Sequence, residues 1–240
     1  MAYIGQKPAD KPLGASDITD GIISNSKLAQ DIISAETELA TAPADTDEFL
    51  ISDAGTLKRI DASLVVGGDI VKLISGSLSS ASTLALSSTY ITSTYQYYDL
   101  LISGYSATNN FQTGITTSTD NGSAYAGGSS DYGWAFTSTG SQAGYASIAD
   151  QDDTSVVIND EQSDGAGTGF AHRIRITNPM SSVHATQFQW TGVGHHQSND
   201  DVKPLYGVGF RQAVEQNNNI RVSFSQTVTG SYVLYGIKGS

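Results

Sequence analysis

Beyond residue 70 the chain consists largely of short segments in which apolar and polar residues alternate. The alternation is clearest from Phe170 to Ile176, where the large apolar residues share one face and Arg173 and Arg175 occupy the other. Period-two alternation is typical of strands with one buried face. The same pattern or a similar apolar content predicts further strands at Thr83–Leu86, Tyr97–Ser103, Phe111–Thr117, Ser155–Ile158, Thr186–Val193, Tyr206–Phe210, Ile220–Phe224 and Ser231–Ile237.

These strands are separated by turns rich in Gly, Asn and Asp, with no helical stretch between them. Many short strands joined by such turns are what an antiparallel β-sandwich of two sheets requires. We therefore expect a mainly β chain whose C-terminal part is a jelly-roll-like sandwich.

A separate pattern, FLISDAGTLKRIDASL from Phe49 to Leu64, predicts a β-hairpin. Strand-favouring apolar residues flank the turn Asp53-Ala54-Gly55, in which Asp tolerates the left-handed backbone region and Gly enters it freely. The hairpin indicates a shape and, by itself, no function.

A short degenerate repeat precedes the hairpin. DITDGIIS, which starts at Asp17, recurs as KLAQDIIS, which starts at Lys27, at an interval of ten residues. The two copies are either unrelated amphipathic turns or part of a fibrous segment that packs against copies of itself.

A helical stripe overlaps this repeat. Leu28, Ile32, Ala35 and Leu39 are spaced by 4, 3 and 4 residues, the a/d spacing of a coiled coil, and Pro43 would end the helix. A helix this short needs support from other elements. Three chains bundled around an axis would supply that support, as would packing on a domain of the same chain, and we favour the homotrimer.

Composition divides the chain near Gly67-Gly68. Tyr3 and Phe49 are the only aromatic residues before this point in the sequence, whereas both Trp and most Tyr follow it. We therefore predict an N-terminal segment at 1–70, with an extended arm, a short helix and the hairpin, and a β-sandwich domain at 71–240.

Three stretches carry a resemblance to a known class of protein. The opening MAYIGQKP, the hairpin module and the closing TGSYVLYGIKG resemble parts of tail fibres or spikes of tailed bacteriophages. The succession YQYYDLLISGYSA, TSTDNGSAY and FAHRIRITNP resembles a β-sandwich domain found at the ends of such fibres. The resemblance implies a structural virion protein, either a tail appendage that contacts the host surface, or a capsid-decorating head fibre or tail adaptor.

The resemblance also implies partners. In such proteins the opening residues dock the appendage onto other tail or capsid proteins, so Tyr3, Ile4 and Leu13 are the expected docking contacts, although a frayed terminus would have the same composition. At the far end, the β domain would contact a glycan or protein of the host cell surface.

Charge and composition exclude several classes. A formal charge of −12 is unfavourable for a nucleic-acid-binding groove, and the absence of Cys excludes disulfides and thiolate metal sites. The sequence contains no apolar run long enough to span a membrane and no secretory signal pattern at its start. We expect assembly in the host cytoplasm and a final location in the virion.

The chemistry of the polar residues predicts no enzyme, no cofactor and no metal site. The sequence lacks GxSxG and any recognisable pair of catalytic carboxylates. One acidic stretch, expected to be a loop, would be either solvated or, less favourably, a calcium site. Its members are Asp150, Asp152, Asp153, Asp160, Glu161 and Asp164.

Recognition is the remaining role, for which exposed aromatic residues beside small polar ones are suited, because rings stack on sugar faces. Alternatively, the same aromatics fill the sandwich or a seam between protomers. The candidates for a receptor-binding surface are Tyr125, Tyr132, Trp134, Trp190, His195 and His196.

Overall fold

The computed structural model describes residues 14, 19, 37, 39–41, 43–44, 46–66, 69–107, 111–140, 144–159, 169–196 and 201–239. The chain divides into two compact units, residues 1–67 and 68–240. The ten-residue repeat, the docking residues Tyr3, Ile4 and Leu13, and the helix positions Leu28, Ile32 and Ala35 lie outside the described residues. Leu39 is described and is 62% exposed.

The first unit contains the predicted hairpin. Strands β1 (Glu48–Asp53) and β2 (Thr56–Asp61) pair antiparallel around a two-residue turn. Ala54 and Gly55 both have positive φ, at 49° and 85°, as a type I′ turn requires. The sequence stretch assigned to the hairpin extended to Leu64, whereas β2 ends at Asp61 and helix α1 (Ala62–Val66) follows directly.

The second unit is built from ten strands. They are β3 (Ile70–Leu86), β4 (Tyr97–Ser106), β5 (Thr113–Ser118), β6 (Tyr132–Gly140), β7 (Gly144–Asp153), β8 (Val156–Asn159), β9 (Phe170–Thr177), β10 (Gln187–His196), β11 (Asp201–Arg211) and β12 (Asn219–Ile237).

All ten strands belong to one large antiparallel sheet that is nearly closed into a barrel. The order is β7-β6-β11-β10-β9-β4-β12-β5-β8, and β3 pairs with β12. Strand β12 is long enough to pair along the same edge with β5 through its first part and with β4 through its last part. The expectation of a mainly β, antiparallel chain is confirmed.

Each predicted strand overlaps an observed one. The predicted strands Ile220–Phe224 and Ser231–Ile237 are two parts of β12, which continues between them through irregular register. Strand β7 was predicted as an acidic loop, and Asp150, Asp152 and Asp153 lie on it instead. Pairing with β6 stabilises this segment despite its weak strand propensity.

The core lies on the inner face of the curved sheet. Alternate residues of each strand point inward, so that Phe188 and Trp190 of β10 are each 1% exposed. Close packing makes Gly207 necessary, because a Cβ atom at this position would lie 2.1 Å from Cζ2 of Trp190. The outward-pointing residues of the same strands form the other face of the sheet.

Candidate functional site

Three apolar side chains project into solvent from β11. Tyr206, Val208 and Phe210 are 57%, 56% and 45% exposed, while Leu205 on the same strand is buried. Strand β11 lies between β6 and β10, so this exposure is not the exposure of a sheet edge. Contiguous apolar surface of this kind commonly marks an interaction site.

Small side chains flank this apolar row on one side and polar side chains on the other. The cross-strand rows, from β6 through β11 to β10, are Thr137–Tyr206–Thr191, Ala135–Val208–Gln189 and Gly133–Phe210–Gln187. Residues directly opposite in adjacent strands are in contact distance. On the outer face, the apolar row of β11 therefore lies directly beside the amide and hydroxyl groups of β10.

Three open depressions follow this face. The largest, of about 840 Å³, is lined by Trp134, Phe210 and the acidic strand β7, including Asp150. The second, of about 340 Å³, lies beside Tyr206, and the third, of about 160 Å³, lies beside two arginines of β9. Gln189 lines all three. We call these three neighbouring depressions together the outer-face groove.

The arginine end of the outer-face groove holds a charged cluster. Asp99 of β4 accepts hydrogen bonds from Arg175 Nε to its Oδ1 at 2.9 Å and from Arg175 Nη2 to its Oδ2 at 3.0 Å. It also accepts a hydrogen bond from Arg173 Nη2. The register explains the geometry, because Asp99 and Arg175 are direct partners in the β4–β9 pairing.

The electrostatics of this cluster keep Asp99 ionised. Burial alone would raise the pKa of Asp99, but hydrogen bonds from Arg175 and Arg173 outweigh it, so the pKa lies below its usual value. The hydrogen bond to Asp99 raises the pKa of Arg175. Two guanidinium groups share one carboxylate, and the cluster therefore keeps a net positive charge.

Trp134 points to the inner face of the sheet, because it lies opposite Gly209 of β11 and shares its face with the buried Tyr132 and Phe136. It is partly buried and packs against the core. Its indole Nε1 donates a hydrogen bond to Asp153 Oδ2 at 2.9 Å, and its ring stacks on Phe136 with 5.6 Å between centroids. These contacts hold the ring on the inner face, so the expected surface position of Trp134 is wrong, although Trp134 is among the residues that line the largest depression.

Tyr125 has a different role in the structure. Its hydroxyl donates to Asn219 Oδ1 at 2.9 Å, and the guanidinium of Arg221 lies 3.9 Å from its ring centroid. One face of the ring is therefore occupied by a cation–π contact. Tyr125 does not line any of the three depressions of the outer-face groove.

The structure corrects the prediction for Tyr132 and Trp190, which are core residues and not surface residues. Both occupy inward-pointing positions, with exposures of 0% and 1%. The hydroxyl of Tyr132 accepts a hydrogen bond from the backbone N–H of Thr117 at 2.7 Å. His195 and His196 end strand β10, and their side chains lie outside the described part of the chain.

The exposed row of β11 was predicted as a strand but not as a surface. In the sequence YGVGF every second residue is glycine, so the strand shows no contrast between an apolar and a polar face. The apolar set would ordinarily be assigned to the core. The aromatic rings of the inner face, such as Trp190, need the glycines inside and leave the apolar set outside.

No protein-family model, no curated protein and no solved structure matches this chain. Within the described ranges, no helix has the length and apolar character needed to cross a membrane. The described residues also contain no group of three or more His, Asp or Glu side chains arranged to hold a metal ion. Asp160, Glu161 and Asp164 lie outside those ranges.

Proposed function

We propose that this protein is a structural component of a phage virion, a trimeric tail fibre or spike that contacts the host cell surface through the outer-face groove. The N-terminal segment would dock on the particle, and no step of this role requires catalysis. The observation that carries the proposal is the solvent-exposed row Tyr206, Val208 and Phe210 beside Gln187 and Gln189.

The chemistry of the outer-face groove is suited to a glycan. Aromatic and apolar side chains pack against the apolar faces of sugar rings, and amide groups bond to sugar hydroxyls. The depressions of about 840 Å³ and 340 Å³ share Ala135, Gln189 and Val208 in their linings, so they offer adjacent stretches of such surface. An extended oligosaccharide is the ligand that this arrangement favours.

The proposal includes a jelly-roll-like arrangement of the large sheet in two layers. Strand β12 would contribute its first part to one layer, beside β5, and its last part to the other, beside β4. The register of β12 supports this division, because pairing with β5 covers Asn219 to Phe224 and pairing with β4 covers Thr229 to Ile237.

Self-association is supported by the first unit. All six residues of β1 are exposed, and Leu50 is 72% exposed. An isolated two-stranded hairpin is marginally stable in water, so contact with further copies would stabilise it. Analytical ultracentrifugation of the purified full-length chain should show three copies, and a monomer at micromolar concentration would contradict the trimer.

The glycan-binding role is tested with purified full-length chain on a glycan array and on a panel of bacterial cells. We expect the double variant Tyr206→Ala and Phe210→Ala to lose at least about tenfold in affinity, because two stacking side chains each contribute about 1 kcal/mol.

Val214→Ala is the matched control, because Val214 is similarly exposed at 53% and does not line the outer-face groove. Unchanged binding by a folded double variant would contradict the proposal. Binding to purified capsids but not to cells or glycans would instead favour a head-fibre or decoration role.

A further inference from the structure

We propose that the outer-face groove binds a saccharide bearing an oxyanion, a carboxylate or a phosphate, and that Arg173 and Arg175 hold this charged group. This inference rests on the proposed function, since it names the chemical class of the ligand for the same groove. It follows from the donors, the space and the charge at the β9 end.

Arg173 and Arg175 each have N–H groups beyond those that donate to Asp99. Arg173 uses only Nη2 in its hydrogen bond with Asp99, and its side chain is 56% exposed. Arg175 donates from Nε and Nη2 to the same carboxylate and is 42% exposed. A guanidinium group has further N–H donors, arranged in a planar fork that matches carboxylate and phosphate oxygens.

Space for the charged group lies directly beside these donors. The depression of about 160 Å³ is lined by Arg173, Arg175, Gln189, Trp190 and Thr191. This space accommodates one charged substituent. The larger depressions, which share Gln189 with it, would take the body of the saccharide.

Charge favours an anion at this position even though the whole chain carries −12. A single arginine would neutralise Asp99, and the second leaves the cluster positive. Asp99 holds both guanidinium groups in place, so less side-chain entropy is lost when a ligand binds.

The other arginines of the large sheet that are described are engaged differently. Arg211 is buried between Asp131 and Glu215, and Arg221 stacks on Tyr125. Arg173 and Arg175 therefore combine a positive charge with open access. This combination distinguishes their cluster from the structural ion pairs.

The distribution of charge along the outer-face groove also predicts the orientation of its ligand. Asp150 and Asp152 line the opposite end, on β7, four strand positions from β9. At about 4.8 Å per strand this separation is about 19 Å, which exceeds the Debye length of about 8 Å at physiological ionic strength. The acidic end therefore repels the ligand's anion only weakly when that anion lies over β9.

The test uses the full-length chain and isothermal titration calorimetry with three probes. They are a neutral malto-oligosaccharide, an oligogalacturonate that carries carboxylates, and a glycerol phosphate polymer with sugar substituents that carries phosphodiesters. We expect one or both anionic probes to bind at least tenfold more tightly than the neutral one, with an affinity that falls as salt increases. The two anionic probes distinguish carboxylate from phosphate as the source of the charge.

The variant Arg173→Gln removes one charge and leaves the Arg175–Asp99 pair intact. We expect it to weaken the anionic probe about tenfold and to change the neutral probe less than twofold. Lys72→Gln is the charge-matched control, because Lys72 is an exposed cation on β3, and it should change either affinity less than twofold. Unfolding curves of both variants verify that the sheet is intact.

The outcomes separate this inference from the proposed function. Binding of the neutral probe as tight as that of the anionic probes, or unchanged anionic affinity in Arg173→Gln, overturns the inference and leaves glycan recognition standing. Failure to bind any probe, together with failure to bind cells, overturns both. Loss of anionic affinity in Arg173→Gln with retained neutral binding supports both.

Discussion

The β1–β2 hairpin and the large sheet are both antiparallel, but different interactions hold them. In the hairpin, every residue of β1 is exposed, and the polar contacts include the surface ion pairs Lys58–Asp53 and Arg59–Glu48. Exposed ion pairs typically contribute less than about 1 kcal/mol each. The form of the hairpin is therefore set mainly by its two-residue turn.

The large sheet depends on contacts between residues far apart in the chain. Strand β3, the first strand of the unit, pairs along β12, its last strand. The inner faces of the strands bury aromatic rings such as those of Trp190 and Phe170. The comparison shows that one region is determined locally by turn chemistry and the other by burial. Substitutions in the two regions should therefore differ in how much they lower the free energy of unfolding and in whether the effect stays local.

The largest effect is expected in the core of the sheet. Trp190→Ala removes a side chain that is 1% exposed, and the cavity should lower the free energy of unfolding by about 3–5 kcal/mol. Chemical denaturation followed by circular dichroism measures this loss. Val193→Ala, on the same strand but 47% exposed, is the control and should cost no more than about 0.5 kcal/mol. Similar losses in the two variants would contradict the packing described for β10.

An effect nearly as large is expected from pH. His172 faces the core, where desolvation lowers its pKa to about 3, whereas an unfolded chain has a His pKa of about 6.5. The neutral form is native, so its full stabilising effect is present above about pH 6.5 and is lost as the pH falls toward 3. The free energy of unfolding should fall by about 1.4 kcal/mol per pH unit in this window.

Unfolding measured between about pH 6.5 and pH 4 isolates this effect, because the stabilisation from Asp99, whose pKa is lowered, is lost only below its unfolded value near 3.9. His172→Gln should flatten the profile in that range. His184→Gln, which replaces an exposed loop histidine, should retain the slope. An unchanged slope in His172→Gln would show that another group causes it.

The smallest effect is expected in the hairpin. Gly55 has a φ of 85° and no atom near the position of a Cβ, so Gly55→Ala adds backbone strain without a clash. The cost should be about 1 kcal/mol and confined to the hairpin. Hydrogen exchange of the β1 and β2 amides should accelerate, while the unfolding of the large sheet stays unchanged. A loss of stability in the large sheet would contradict the division into a local and a long-range region.

Sequence patterns located most of the fold, because alternation and turn residues are local properties. They predicted the strand at β9, with Arg173 and Arg175 on its polar face, and the turn at Ala54-Gly55. They failed at β7, where Asp150, Asp152 and Asp153 suggested a loop, because the strand is stabilised by its neighbour β6 and not by its own propensity.

The candidate site was predicted only in part for a related reason. Tyr132, Trp134 and Trp190 were surface candidates with the core as the alternative, since an aromatic residue has the same composition signal in either place, and all three point inward. Asp99 was not recognised, since its pairing with two arginines depends on the alignment of β4 with β9, which no local pattern encodes.

By itself, the sequence determined where most strands and the hairpin turn lie, because backbone preferences and side-chain alternation act over a few residues. The tertiary structure alone decided which strands are neighbours and which face of β11 meets solvent. Glycine positions such as Gly207 make room for the rings of adjacent strands, and this steric requirement, absent from any single segment, leaves Tyr206, Val208 and Phe210 on the outside.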